Sequence, residues 1–193
     1  MVLLCDNQPK AIFAIADRPK AHSRKALEKL RDLGVHTLVL SGDNSHAVAS
    51  IAEQLGVEDA RGNLLPEQKL EVMRSLKTEY GVTGMVGDGI NDAPAMASAD
   101  ISFAMGAAGT DTAIETADVA LMDDNLEKLS WFIRLSRTSS RRVKQNIALA
   151  LGIKLIFILL ALMGEATLWM AVFADMGASL LVVFNGLRLL NFK

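Results

Sequence analysis

The stretch Thr83-Gly84-Met85-Val86-Gly87-Asp88-Gly89-Ile90-Asn91-Asp92-Ala93-Pro94 runs from a short apolar strand through a turn of glycines and carboxylates into the start of a helix. Glycine at such a turn permits backbone conformations closed to other residues and lets a ligand approach the main chain. Asp88 falls in the turn and Asp92 near the helix start. Two hard carboxylates so placed suit Mg2+, which takes one or two carboxylates and fills its other positions with water and phosphate oxygens. The plainer alternative, a solvated turn with an aspartate cap, accounts less well for paired aspartates among glycines.

Outward from this stretch, short apolar runs alternate with helical patterns. Ala11–Ala16 reads as a strand and Ser23–Leu33 as a helix with Ala26, Leu27, Leu30 and Leu33 on one face. Val35–Leu40 is a second strand, Ser45–Leu55 a second helix, and Pro66–Leu76 a third, with proline in the first turn where its missing N–H costs nothing. After the strand Thr83–Val86 come a helix at Asp92–Ala97 and strands at Ile101–Ala104 and Val119–Met122. This alternation predicts an α/β fold with a parallel sheet covered on both faces. In such sheets the chemistry sits beyond the carboxyl ends of the strands.

Two further turns fit that rule. Ser41-Gly42-Asp43-Asn44 follows the strand ending at Leu40 and offers a hydroxyl, a glycine and a carboxylate to hold a phosphoryl group and orient water. Asn44 is equally explained as the cap of the next helix. In Leu65-Pro66-Glu67-Gln68-Lys69, Lys69 stands in a first helical turn, where the helix dipole disfavours a cation. A nearby anion would explain it; taken alone it reads as a surface lysine.

The 193 residues carry a formal net charge of −2, which gives no global pull toward nucleic acid. One cysteine, Cys5, excludes an internal disulfide and a Cys-x-x-Cys metal pair, and reads as a packing residue. His22, His36 and His46 lack ligand spacing. At the amino terminus Asp6 and Lys10 interrupt any apolar run, so no signal peptide is expected.

From Ile147 onward the composition changes, and only Lys154, Glu165, Asp175, Arg188 and Lys193 are charged. Asn125–Gln145 reads as a helix leaving the soluble domain, and Arg137, Arg141, Arg142 and Lys144 form the basic flank expected on the cytoplasmic side of a membrane span. Ile147–Met163 would be about 25 Å long as a helix and Ala166–Leu187 about 33 Å, enough for a membrane hairpin turning at Gly164–Glu165. Arg188 and Lys193 then put both ends on the cytoplasmic side. Met163, Met170 and Met176 read as lipid-facing or packing residues. Lys154 and Asp175 fall near mid-depth, where a charge costs roughly 2.5–3.5 kcal/mol on insertion scales. They form either a structural ion pair or a cation site with its own counter-charge.

The order Ser41-Gly42-Asp43-Asn44, Leu65-Pro66-Glu67-x-Lys69, Gly87-Asp88-Gly89-Ile90-Asn91-Asp92-Ala93-Pro94 resembles the phosphorylation domain of P-type ATPases, a haloacid-dehalogenase-like fold. The likeness continues through Met105-Gly106, Gly109-Thr110-Asp111 and Glu115-Thr116-Ala117-Asp118. It implies that Ser41, Gly42 and Asp43 bind phosphate and help position water, and that Lys69 neutralises phosphoryl charge. It also implies that Asp88 and Asp92 hold Mg2+ with Asn91 assisting. Asn146–Lys154, Asp175-x-Gly177-Ala178-Ser179 and Asn185-x-Leu187-Arg188 resemble the last two membrane helices of the zinc/cadmium/lead subgroup. The resemblance there implies that Asp175 binds a divalent heavy-metal cation and Lys154 compensates its charge.

The pattern has departures. Ser41 stands where the family usually has threonine, and Lys20 where it tends to have arginine. The Asp-Lys-Thr-Gly-Thr sequence whose aspartate is phosphorylated does not occur in these residues, and neither does the ATP-binding domain. The resemblance therefore divides the chain into residues 1–124, the carboxyl-terminal part of the phosphorylation domain; 125–146, a connecting helix; and 147–193, the last two transmembrane helices. As part of an ATP-driven, Mg2+-dependent exporter of Zn2+, Cd2+ or Pb2+ it would sit in a bacterial plasma membrane, with its soluble domain cytoplasmic, and be inactive alone. The alternative is a non-catalytic membrane remnant, or a regulator of an intact pump.

Overall fold

The computed structural model describes residues 2–5, 8–12, 19–88, 91–106, 117–123, 125–165 and 167–192, which form two compact units, Met1–Ser130 and Trp131–Lys193. The first unit contains the strands β1 (Val2–Cys5), β2 (Gln8–Ile12), β3 (Leu38–Leu40), β4 (Asp59–Arg61), β5 (Gly84–Gly87), β6 (Ile101–Met105) and β7 (Val119–Leu121). Between them lie α1 (Ser23–Asp32), α2 (Ser45–Leu55), α3 (Pro66–Tyr80) and α4 (Ala93–Ser98).

The predicted parallel pairing holds, but among the described residues it falls into two sheets: β3 pairs with β4, and β5, β6 and β7 pair in that order. β1 and β2 form a separate antiparallel hairpin, so the strand expected at Ala11–Ala16 ends at Ile12 among the described residues and belongs to no parallel sheet. Phe13–Ala16 lie outside the described residues, as do Gly89, Ile90, Gly109-Thr110-Asp111 and Glu115-Thr116. Cys5, expected to pack, is exposed on β1.

β4 has no apolar run to announce it: Asp-Ala-Arg pairs through its backbone and leaves both end residues exposed. Helix α3 runs past Leu76 because Lys77-Thr78-Glu79-Tyr80 are all compatible with helix, and Gly81 ends it. Met73 of α3, Met85 of β5, Ala95 and Met96 of α4 and Ala104 of β6 form a buried cluster, and Leu40 at the end of β3 packs against it. The core thus sits directly beneath the turns that follow β3 and β5.

Two carboxylates tie the β5–β6–β7 sheet from its other end. Asp118 accepts from the Ser102 hydroxyl at 2.7 Å and backbone N–H at 2.8 Å, and Asp100 accepts from the Thr83 N–H at 2.9 Å while pairing with Lys77 at 2.6 Å.

In the second unit the connecting helix and the first span expected separately are one helix, α5 (Glu127–Leu162), whose first residues reach back into the first unit. Its 36 residues extend about 54 Å, longer than a bilayer core of about 30 Å. The sequence signal changed at Ile147 in composition only, not in helical propensity, so no break was encoded there. α6 is Leu168–Leu187, and Thr167 caps it by accepting from the Met170 N–H. Both helices are long and apolar enough to cross a membrane, and large apolar side chains such as Leu151, Ile158, Phe173 and Leu180 lie exposed along them.

Met96, 1% exposed at the centre of the core, should be costly to truncate. Met96→Ala is expected to destabilise the first unit by about 2–5 kcal/mol. Loss of hydrogen-exchange protection in β5 would register this, since Trp131 and Trp169 report on the other unit.

The Ser102 hydroxyl and N–H hold the Asp118 carboxyl below its ordinary value of 3.8, and Lys77 followed by the Thr83 N–H do the same for Asp100. A depressed carboxyl contributes stability above its unfolded-state value, and that contribution is lost as pH falls through the folded-state value. Urea midpoints should therefore hold steady well above pH 3.8 and fall below it. Asp118→Asn should lower the neutral-pH midpoint and weaken the acid dependence.

Candidate active site

Asn44 caps α2 by accepting from the His46 N–H at 2.9 Å, which fixes where the chain leaves the β3 turn. Within that turn the Ser41 hydroxyl donates to Asp43 Oδ2 at 2.9 Å and accepts from the Asp43 N–H at 3.1 Å. Ser41 and Asp43 thus form one unit at the strand's carboxyl end, with Asp43 exposed. The other carboxylate oxygen makes no bond among the described residues and is open to water.

The segment after β4 folds over this turn. The Ser41 N–H donates to the Arg61 carbonyl at 2.9 Å, the Asn63 N–H to the Asp43 carbonyl at 2.6 Å, and the Leu64 N–H to the Ser41 carbonyl at 3.1 Å. Such closeness needs glycine at position 62. A Cβ there would lie 2.6 Å from Ser45 Cα and 2.9 Å from the Asp43 carbonyl oxygen, both backbone atoms that cannot step aside. Asn63 follows with φ +56°, a left-handed conformation that asparagine tolerates better than most residues. Sequence reasoning missed Gly62 and Asn63. The only signal was a Gly-Asn pair just before the Leu-Pro-Glu helix start.

α3 begins at once, its first turn braced by Gln68 Oε1 accepting from the Leu65 N–H at 2.8 Å. Lys69 then reaches across to Asp92, Nζ to Oδ1 2.7 Å, with the side chains only 12% and 17% exposed. The anion that explains a lysine in this first turn is therefore a carboxylate from the β5 turn. Asp92 occupies the N-cap position of α4, but its side chain makes no capping bond. Its carboxylate is turned to Lys69 instead, so the capping alternative fails for this residue. Leaving either charge unpaired in so enclosed a place would cost a few kcal/mol.

Gly87 sets the position of Asp92 from below. A Cβ on Gly87 would lie 3.0 Å from Asp92 Cβ, Asp92 Oδ2 and Met96 Sδ, so any side chain there pushes the carboxylate outward. Asp88, which follows Gly87, and Asn91, which precedes Asp92, are both exposed. Asp88 makes no side-chain bond among the described residues, leaving its carboxylate available. Among the described residues no group of three or more histidine, cysteine, aspartate or glutamate side chains is gathered. Two carboxylates, one enclosed and one exposed, match an ion that draws most of its ligands from water and phosphate, and do not match a closed protein cage.

In the second unit Lys154 and Asp175 are both exposed, and no ion pair joins them among the described residues. The structural-pair alternative thus finds no contact to rest on. What joins the helices is polar and lies elsewhere: Arg142 Nη1 donates to Asn185 Oδ1 at 2.9 Å, and Asn185 Nδ2 donates to Asn146 Oδ1 at 2.7 Å. Met163, Met170 and Met176 are exposed, as lipid-facing residues would be.

Residues 2–100 match the model of the haloacid dehalogenase-like hydrolases. The chain is 50% identical over 184 residues to a probable cadmium-transporting ATPase of Listeria monocytogenes, covering 95% of this chain and 26% of that protein. It is 47% identical over 180 residues to a zinc/cadmium/lead-transporting P-type ATPase of Escherichia coli, covering 93% of this chain and 24% of that one. A crystal structure of a zinc-transporting PIB-type ATPase in the E2.Pi state superposes over 98% of this chain and 31% of its own, with TM-score 0.89 and 43% identity. The chain spans about a quarter of the length of the curated relatives it matches.

The enclosure of Lys69 is directly measurable. Its amine should acylate slowly with a water-soluble succinimidyl ester, and both Asp92→Asn and Gly87→Ala should speed the reaction by roughly tenfold, since each removes or displaces the charge that holds it. Mass spectrometry of the labelled peptide reads the change, with Lys25 as an internal exposed reference.

Proposed function

The chain belongs to the haloacid dehalogenase-like hydrolases, in the lineage of the heavy-metal P-type ATPases, and on that premise we propose that it is the phosphate-handling and last membrane portion of an ATP-driven exporter of divalent metal ions. The single observation that carries this reading is the convergence of three separate turns on one corner. The β3 turn, the start of α3 and the β5 turn are tied together by the Asn63–Asp43 and Leu64–Ser41 backbone bonds and by the Lys69–Asp92 ion pair. Phosphoryl transfer asks a protein chiefly for placed charge, and that corner supplies it.

In this reading Ser41 and Gly42 receive the phosphoryl oxygens through hydroxyl and backbone N–H. Asp43, its Oδ2 occupied by Ser41, directs water with its other oxygen. Lys69 exchanges part of its contact with Asp92 for the incoming phosphoryl charge. Asp88 and Asp92 would hold Mg2+ with Asn91 alongside, and the ion when bound offsets negative charge on the phosphoryl oxygens. The phosphorylated aspartate and the ATP-binding domain are supplied by sequence outside these residues, so the chain alone is inactive. No covalent intermediate forms without its nucleophile.

The membrane unit receives the cargo: Asp175 as an oxygen ligand for Zn2+, Cd2+ or Pb2+, and Lys154 as the charge that balances the site when it is empty. The basic residues Arg137, Arg141 and Lys144 before the first span, and Arg188 after the second, favour both ends on the cytoplasmic side of a bacterial plasma membrane.

Replacing the matching quarter of the Listeria cadmium-transporting ATPase with this chain tests the reading. The hybrid should restore cadmium resistance to an exporter-deficient strain, whereas this chain alone should give neither resistance nor ATP hydrolysis. Lys69→Ala and Asp43→Ala should each reduce ATP hydrolysis by the hybrid about 100-fold or more, the scale of losing one placed stabilising group. A hybrid that reaches the membrane yet stays inert would favour a remnant or regulator instead.

A further inference from the structure

The hydrogen-bonded chain Arg142–Asn185–Asn146 lies at one end of the seam between α5 and α6, and it is extended by Asn146 Nδ2 donating to the Val182 carbonyl at 3.4 Å. Beyond it the seam is apolar and mostly small: Ala150 and Ile153 on α5 and Ala174, Ala178 and Val182 on α6 are among the partly or fully covered positions, which also include Gly152, Phe157, Leu160 and Gly177. Small apolar residues let helices approach closely, but they specify register weakly, because sliding by a turn brings similar side chains together. Amide-to-amide and guanidinium-to-amide bonds within an apolar seam specify it strongly, as a single buried asparagine does in a coiled coil.

The consequence for the charged residues follows from helix geometry. Lys154 lies eight residues beyond Asn146 on α5, and Asp175 seven residues before Val182 on α6. At the helical rise these are about 12 Å and about 10 Å from the same anchor, so both groups stand at nearly one depth. Each also follows a seam residue by one position, Lys154 after Ile153 and Asp175 after Ala174. In an antiparallel pair, one step past the seam rotates to the same side on both helices. Lys154 and Asp175 therefore flank the seam on a common side without bonding to each other.

We infer that the Arg142–Asn185–Asn146 ladder is a positioning device. It locks the register and rotation of the hairpin so that Lys154 and Asp175 face the cation path together at one depth. The inference rests on the reading of Asp175 and Lys154 as the cation site, and its test separates the two.

In the full chain carrying Cys5→Ser and reconstituted in lipid, the matched seam pair Ala150→Cys/Ala178→Cys should form a disulfide on oxidation, and the pair one turn away, Ala150→Cys/Ala174→Cys, should not. Adding Asn146→Leu and Asn185→Leu replaces both amides by apolar groups, which preserves insertion but removes the lock. The matched cross-link should then fall by about threefold per hydrogen bond lost, and the shifted one should appear. Unchanged selectivity overturns the inference. If the double variant does not insert, Arg142→Met tests the ladder from its basic end, with the matched cross-link again falling about threefold and an unchanged yield again overturning the inference.

In the hybrid pump, Asn146→Leu/Asn185→Leu should raise the Cd2+ concentration for half-maximal ATP hydrolysis while leaving the saturated rate largely intact, and Arg142→Lys should restore the behaviour that Arg142→Met loses. Equal loss of both parameters points to a merely structural role and overturns the inference. Asp175→Asn should abolish Cd2+ activation but leave the cross-link pattern as it is. Cd2+ activation surviving Asp175→Asn overturns the cation-site reading, and the cross-link result then stands or falls separately.

Discussion

The ion pair between Lys69 and Asp92 joins two segments of chain that leave different sheets. α3 follows β4, and Asp92 lies in the turn after β5. Among the described residues the β3–β4 and β5–β6–β7 sheets share no strand pairing. The corner that binds them therefore relies on α3 packing against α4, on Leu40 reaching into the Met85–Met96 cluster, and on this one charged contact. Everything proposed for phosphate chemistry depends on that corner holding its shape. Its geometry is set by two glycines: at 62 the absence of a Cβ lets the loop lie against the Ser41–Asp43 turn, and at 87 it lets Asp92 settle beneath Lys69.

A closed ion pair is a sensible resting arrangement for such a site. A lysine aimed at open solvent in a first helical turn is opposed by the helix dipole, whereas a carboxylate 2.7 Å away offsets that cost and fixes the side chain's direction. On the proposed reading, an arriving phosphoryl group needs only a share of the lysine's hydrogens, because the side chain is already held in place. Preorganisation of this kind lowers the cost of ordering at the moment of reaction. The short connection between Ser41 and Asp43 acts the same way, holding a carboxylate in one orientation before water or phosphate is present.

Much of this was legible in the sequence, because strands ending in Gly-Asp or Ser-Gly-Asp and followed by capped helices place their polar groups without help from distant residues. The alternation of strands and helices and the presence of two long apolar helices were legible, although the strand expected at Ala11–Ala16 belongs to an antiparallel hairpin. What escaped has a common cause. β4 carries no apolar pattern, since it is held by backbone pairing alone. Gly62 matters only because Ser45 and Asp43 pass within 3 Å of where its Cβ would be, a fact of tertiary approach. The continuity of α5 across Gln145 was hidden because composition changes there while helical propensity does not. Asp92 reads as a Mg2+ ligand, with a helix cap as the plainer alternative, and its ion pair with Lys69, 23 residues earlier, is a tertiary contact that no local pattern encodes.

The membrane unit treats charge in the opposite way, and the contrast has a physical reason. A lysine and an aspartate bonded to each other in lipid would satisfy themselves and leave nothing to attract a cation. In the proposed arrangement, held at one depth on one side of the seam but not in contact, they remain available, yet something else must then keep the helices in register. Charged groups used for that purpose close to the proposed site would compete for the cargo or repel it. Asparagine amides do not compete strongly for the cation, and they form directional bonds that tolerate no slippage. Arg142 completes the ladder from the end where the apolar span begins, where its charge borders water and costs least. On the proposed cation-site reading, an amide lock bordered by Arg142 at the edge and a separated charge pair at the centre are thus two requirements of one task, holding a site open inside a medium that favours closing it.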